Sequence, residues 1–93
     1  VYLTENERRQ APTLHRAMQQ AASAIGDGER SADAVRVLMR QLIEPVAPVD
    51  YAEVVDARSL QRVDPLRGEL RLLVAARFGK ARLIDNIGVT VEA

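Results

Sequence analysis

The sequence has 93 residues, 47% of them hydrophobic, with 13 basic and 13 acidic side chains that cancel and no cysteine. A chain of this length holds one core and no second domain, burying about 60 to 65% of its unfolded surface. Its balanced charge excludes the footprint of a protein that neutralises several phosphates, and the missing cysteines exclude disulfides and thiolate metal sites.

A reducing, cytoplasmic compartment is therefore expected. No apolar run approaches the ~18 to 20 residues of a membrane helix, and no basic, apolar, small-residue order marks a signal peptide, so a soluble protein is expected. Val1 stands where an initiator methionine is usual, which reads as a fragment of a longer chain. Only Tyr2, Tyr51 and Phe78 are aromatic, so the core is expected from Leu, Val, Ile and Ala.

Taken in order, Thr4-Glu5-Asn6-Glu7 has the form of a capping box and predicts a helix start. Ala11, Leu14, Met18, Ala21 and Ile25 then recur at spacings of three and four, which gives one inward stripe. Pro12 conflicts with an unbroken helix, because it lacks an amide donor and clashes with the carbonyl four residues earlier, so a kink or break is expected there. Gly26 is the expected C′ residue in the left-handed conformation. Ser31 caps a second helix with Asp33 in its first turn and Val35, Leu38, Met39 and Leu42 facing inward, and Pro45 stops it. Pro48 holds Ala47 extended and leads into a strand over Val49 to Val55. Asp56 to Gly68 reads as a connection with Leu60 and Val63 tucked under it.

From Leu70 the residues Leu70, Leu72, Val74, Ala76 and Phe78 fall on one side of an extended chain, and Arg71, Leu73, Ala75 and Arg77 on the other. Gly79-Lys80 supplies the glycine of a two-residue type II′ loop, and β-branched residues resume at Ile84, Ile87, Val89, Thr90 and Val91. The fold class is α+β, two N-terminal helices packed on a three-stranded, largely antiparallel sheet that ends in a β-hairpin.

Chemistry-bearing candidates are few. His15 is the only histidine, so no zinc set can be completed around it, and it reads as a surface or boundary residue. No serine sits in a nucleophile-elbow context. Gly26-Asp27-Gly28 lacks the preceding strand and the Lys-Ser/Thr ending of a phosphate loop and reads as a helix terminator. In the hairpin register Arg77 and Arg82 lie opposite each other on one face, an unfavourable arrangement of like charges. Screening or local pairing with Asp or Glu is the first explanation, and a cationic patch facing an anionic ligand or an acidic partner domain is the second. The same register puts Asp85 on the apolar face, opposite Val74, where its carboxylate needs backbone amides or an arginine, and it turns Asn86 to the other face.

The run Leu73-Val74-Ala75-Ala76-Arg77-Phe78-Gly79-Lys80-Ala81-Arg82-Leu83-Ile84-Asp85-Asn86 resembles the closing segment of the pantothenate synthetases, ATP-dependent ligases that join pantoate to β-alanine. Val1-Tyr2-Leu3-Thr4 resembles the residues immediately after the family's Ser-Ser-Arg-Asn signature, and Asp50-Tyr51-Ala52-Glu53-Val54-Val55-Asp56 resembles its intervening strand. The resemblance implies that residues 1 to 93 are the C-terminal lid domain alone. The N-terminal nucleotide-binding domain, with its His-x-Gly-His motif, lies outside this sequence, and the Ser-Ser-Arg-Asn segment that contacts ATP phosphates would end just before Val1.

On that reading the partner is the N-terminal catalytic domain of the same enzyme, with no nucleic acid and no membrane, in a homodimeric full-length protein. ATP and Mg belong to that full-length enzyme, no cofactor is bound by residues 1 to 93, and no catalytic, cofactor-binding or metal-binding residue is assigned among them. The isolated piece is expected to be inactive. The family reaction proceeds through a pantoyl adenylate, which a closing domain shields from water. The alternative is a free-standing interaction or dimerisation module that uses a sheet edge or hairpin face. A minimal enzyme is the third reading and lacks candidate residues.

Overall fold

The structure is a computed structural model that describes residues 5 to 10 and 12 to 92. Its elements are α1 (Glu5–Gln10), α2 (Pro12–Gly26), α3 (Ala32–Ile43), β1 (Val49–Asp56), β2 (Gly68–Phe78) and β3 (Ala81–Val91). The sheet is antiparallel in the order β1-β2-β3, with β2 in the centre. Helices α2 and α3 pack against each other over one face of it, α2 reaching β2 and β3 and α3 reaching β1. The α+β class expected from the sequence is the one observed.

Helix α1 ends at Gln10 and α2 begins at Pro12; Ala11 between them lies outside the described residues, and the kink or break expected at Pro12 falls there. Thr4, the Glu7 side chain and Ala11 lie outside the described residues, and with them the expected capping box and the first member of the stripe. The rest of the stripe, Leu14, Met18, Ala21 and Ile25, is buried, joined by Thr13 and Ala17.

At the end of α2 the expected role of Gly26 is corrected. Gly26 is the last helical residue, and Gly28 carries the positive φ, 116°. The Glu29 N–H donates to the Ala24 carbonyl (3.0 Å) and the Gly28 N–H to that of Ile25 (3.1 Å), the pair of bonds of a Schellman turn with Gly28 at C′. Burial of Ile25 favours carrying the helix two residues further before it stops. Ser31 caps α3 as expected, its Oγ accepting from the Ala34 N–H at 3.2 Å. Val35, Met39 and Ile43 form the buried line of α3, and Leu38 and Leu42 flank it half-buried.

In the connection after β1 the expectation fails for Leu60, which is 64% exposed and has φ 59°. Val63 does pack against the core, but the residue that plugs it is Leu66, whose N–H donates to the Arg30 carbonyl at 2.9 Å. The core combines the expected Leu, Val, Ile and Ala with Met18, Met39 and Phe78, all but inaccessible to solvent.

The hairpin follows the sequence closely. Phe78 pairs with Ala81 around Gly79-Lys80, and Gly79 has φ 62° while Lys80 stays out of the positive region, which is the type II′ pattern. With that register Leu70, Leu72, Val74, Ala76 and Phe78 turn to the helices and are buried.

Candidate functional site

With the helices on one face of the sheet, the opposite face is where chemistry-bearing side chains collect. Pairing carries Arg71, Leu73, Ala75 and Arg77 of β2 and Arg82, Ile84 and Asn86 of β3 onto it, beside Tyr51 of β1. Arg77 and Arg82 are directly paired, as the sequence predicts.

Their repulsion is offset by Asp50, which sequence reasoning did not identify. Its Oδ1 accepts from Arg77 Nε at 3.2 Å and its Oδ2 from Arg82 Nε at 2.6 Å. Strict alternation would turn Asp50 to the core with Ala52 and Val54. Instead Val49 pairs with Ala76 and Tyr51 with Ala75, so Asp50 is the extra residue of a β-bulge. The bulge leaves Val49 against the core and re-aims the carboxylate to the outer face. An acidic residue at the core-facing parity of a strand was the available signal.

The Arg82 hydrogen bond foremost, then that from Arg77 with the charge of both guanidiniums, outweighs partial desolvation and holds the Asp50 carboxyl below the usual carboxylate range. The Arg82 guanidinium also lies 5.8 Å from the centre of the Tyr51 ring, within cation–π reach. Local pairing with a carboxylate, the first of the two explanations for this arginine pair, is thus observed.

A second cluster lies along the β1 edge. Glu53 accepts from Arg36 Nε at 2.8 Å and from Arg62 Nη2 at 2.6 Å. Desolvation pushes its pKa up, but the two guanidinium hydrogen bonds outweigh that, and the carboxyl lies below its ordinary value. Asp56 is lowered too, chiefly by the backbone N–H groups of Ser59 and Arg58, both 2.9 Å from Oδ1, which close the turn after β1.

Asp85 does fall on the core-facing side, opposite Val74, but on an edge strand where its side chain remains 43% exposed. The Asn86 N–H donates to its Oδ1 at 2.8 Å, so a backbone amide serves it as expected, and His15 Nδ1 stands 3.8 Å from its Oδ2. His15 is itself half exposed, a boundary histidine. Asn86 points to the other face and its Oδ1 accepts from Arg71 Nη1 at 3.4 Å.

Two shallow depressions of about 250 and 280 Å³ open on the surface. One lies between α2 and the end of α3, beside Thr13, Arg16, Gln20 and Leu42, and the other beside Asp56, Arg58 and Glu69. Neither brings a nucleophile to a base. Among the described residues no group of three or more His, Cys, Asp or Glu stands together that could hold a metal ion, so Mg has no fitting donor set there. No helix among them is long and apolar enough to cross a membrane.

Comparison with known proteins matches residues 1–88 to the family model described as pantoate-beta-alanine ligase. The sequence is 57% identical over 90 residues to pantothenate synthetase 2 of Frankia alni, covering 97% of this chain and 27% of that protein. It is 47% identical over 89 residues to the pantothenate synthetase of Geobacillus thermodenitrificans, covering 94% of this chain and 31% of that one. The fold superimposes on the crystal structure of pantothenate synthetase from Thermus thermophilus with a TM-score of 0.88 at 30% identity, covering 97% of this chain and 33% of that one. The chain thus spans about a third of the length of the relatives it matches.

Proposed function

Because this chain belongs to the pantoate-beta-alanine ligase family, we propose that it is the C-terminal lid domain of a pantothenate synthetase. In this reading it closes over the ATP and pantoate site of an N-terminal domain during the condensation of pantoate with β-alanine. It contributes no catalytic, nucleotide-binding or metal-binding side chain of its own and is inactive when isolated. ATP and Mg are handled by the rest of the enzyme, a homodimer working in the cytoplasm.

The observation that carries the proposal is the family match over nearly the whole chain, combined with coverage of only about a third of each relative. The polar clusters give further support. The Asp50 and Glu53 carboxylates are each held by two guanidiniums, and Asp85 is a half-exposed edge residue, so all three have structural roles that need no substrate. A rigid α+β unit without a reactive pair suits a cover: a pantoyl adenylate is open to hydrolysis, and closure over it keeps water out until the amine attacks.

The test is ATP-dependent condensation of pantoate with β-alanine, measured for the chain alone and for the chain joined through Val1 to an N-terminal domain ending in Ser-Ser-Arg-Asn. The expected result is no turnover by the chain alone and ligation by the joined protein, since tethering supplies an effective concentration on the order of millimolar. Turnover by the chain alone contradicts the lid assignment.

A further inference from the structure

We infer that Asp85 is the device that keeps the open edge of β3 from pairing with β3 of a second copy of this chain. The inference is independent of the lid reading.

Among the described residues β3 pairs only with β2, so one side of its 11 residues is an open edge. The neighbouring ladder identifies which amides face that edge. The Arg77 N–H donates to the Pro48 carbonyl at 3.0 Å, on the β1 side of β2, so Arg77 and its partner Arg82 exchange no bond. Bonded and unbonded pairs alternate along an antiparallel ladder. Arg82, Ile84, Asn86, Gly88 and Thr90 therefore turn their N–H and C=O groups away from β2, a row that can template a further strand.

β3 itself fits this row. A two-fold antiparallel contact centred on Asn86 overlaps all 11 residues and exchanges bonds at the Asn86 pair. It sets Leu83 against Val89 and Arg82 against Thr90, with no like charges directly opposed. The one misfit is Asp85. It falls on the core-facing side opposite Ile87, with the second copy's Asp85 diagonally across the axis. Pairing would close both carboxylates in among Leu83, Ile87 and their counterparts, removing the water that a 43% exposed side chain now enjoys. An inward-pointing charge on an edge strand is a recognised block to strand addition.

The same side chain occupies the centre of the edge directly. Its Oδ1 accepts the Asn86 N–H at 2.8 Å, the outward amide that lies on the two-fold axis of the blocked contact. A second strand would have to displace it. His15 Nδ1, on α2, stands 3.8 Å from Oδ2, so the other oxygen is turned back toward the helix.

Sedimentation of the chain over a range of concentrations tests this. Wild type is expected to remain a monomer, and Asp85→Val to form a concentration-dependent dimer, with self-association at least about tenfold tighter than that of wild type. Asp85→Thr, whose side chain is uncharged but polar and favours strands, is expected to shift in the same direction. Amide exchange locates the contact: the Ile84, Asn86 and Gly88 N–H groups are expected to gain protection as the variants associate. Failure of both variants to associate more tightly than wild type overturns the inference. Association that leaves those amides as exchangeable as in wild type overturns it as well, and so does a wild type that already pairs through them.

Discussion

Three residues show how single positions set this structure. Asp50 sits between two guanidiniums that the hairpin forces together, and its carboxyl is lowered below its ordinary 3.8, mainly by the Arg82 hydrogen bond. A carboxylate lowered on folding contributes stability that is present above its unfolded pKa and lost as pH falls through the folded one. Asp50→Asn is therefore expected to lower the melting temperature at pH 7, with the gap to wild type closing below about pH 4, the unfolded carboxylate range. A gap independent of pH contradicts the pairing. Gly79, at φ 62°, sits where a β-branched side chain is strained, so Gly79→Val is expected to cost ~1 to 3 kcal/mol in thermal unfolding. Leu60 has the converse problem, an exposed side chain at φ 59° with little burial to lose. Leu60→Asn is expected to stabilise by about 0.5 to 1 kcal/mol, because asparagine tolerates the left-handed region. The opposition of Arg77 and Arg82 was legible in the sequence because a two-residue turn sets hairpin register locally. The Asp50 answer to it was not, since the bulge arises in the pairing of β1 with β2 across a long connection.

At the scale of elements, what could be read was what local chemistry decides. Ser31 capping α3 and the alternation along β2 each depend on a few adjacent residues. Ser31→Ala is expected to destabilise by ~1 kcal/mol in chemical unfolding, by leaving the Ala34 N–H without its acceptor. The end of α2 was displaced by two residues because both glycines fit a terminator, and only tertiary burial of Ile25 decides between them. The two positions should therefore respond oppositely. Gly26→Ala, in helical backbone with nothing within 4 Å of an added Cβ, is expected to stabilise by about 0.4 to 1 kcal/mol. Gly28→Ala, at φ 116°, is expected to destabilise by ~1 kcal/mol or more. Equal effects at both sites contradict the assignment of Gly28 as the C′ residue. Leu66 escaped notice because a lone apolar residue among Asp, Pro, Arg and Gly shows no periodicity, and its burial depends on the contact with Arg30.

For the whole molecule, one face of the sheet is committed to the core and the other carries Tyr51, Leu73 and Ile84 among paired arginines and carboxylates. The family match runs over nearly the whole chain and covers about a third of each relative. The gathering of Tyr51, Leu73 and Ile84 on one face became readable only with strand pairing, which no local stretch of sequence shows. The central claim is that this domain protects an adenylate formed elsewhere in the enzyme. The most direct measurement is the ratio of AMP released to pantothenate formed, in the full-length synthetase and in the same protein with residues 1 to 93 excised. The account predicts a ratio near one for the full-length enzyme and, after excision, AMP well in excess of pantothenate or loss of both products. An unchanged ratio and rate after excision contradicts it.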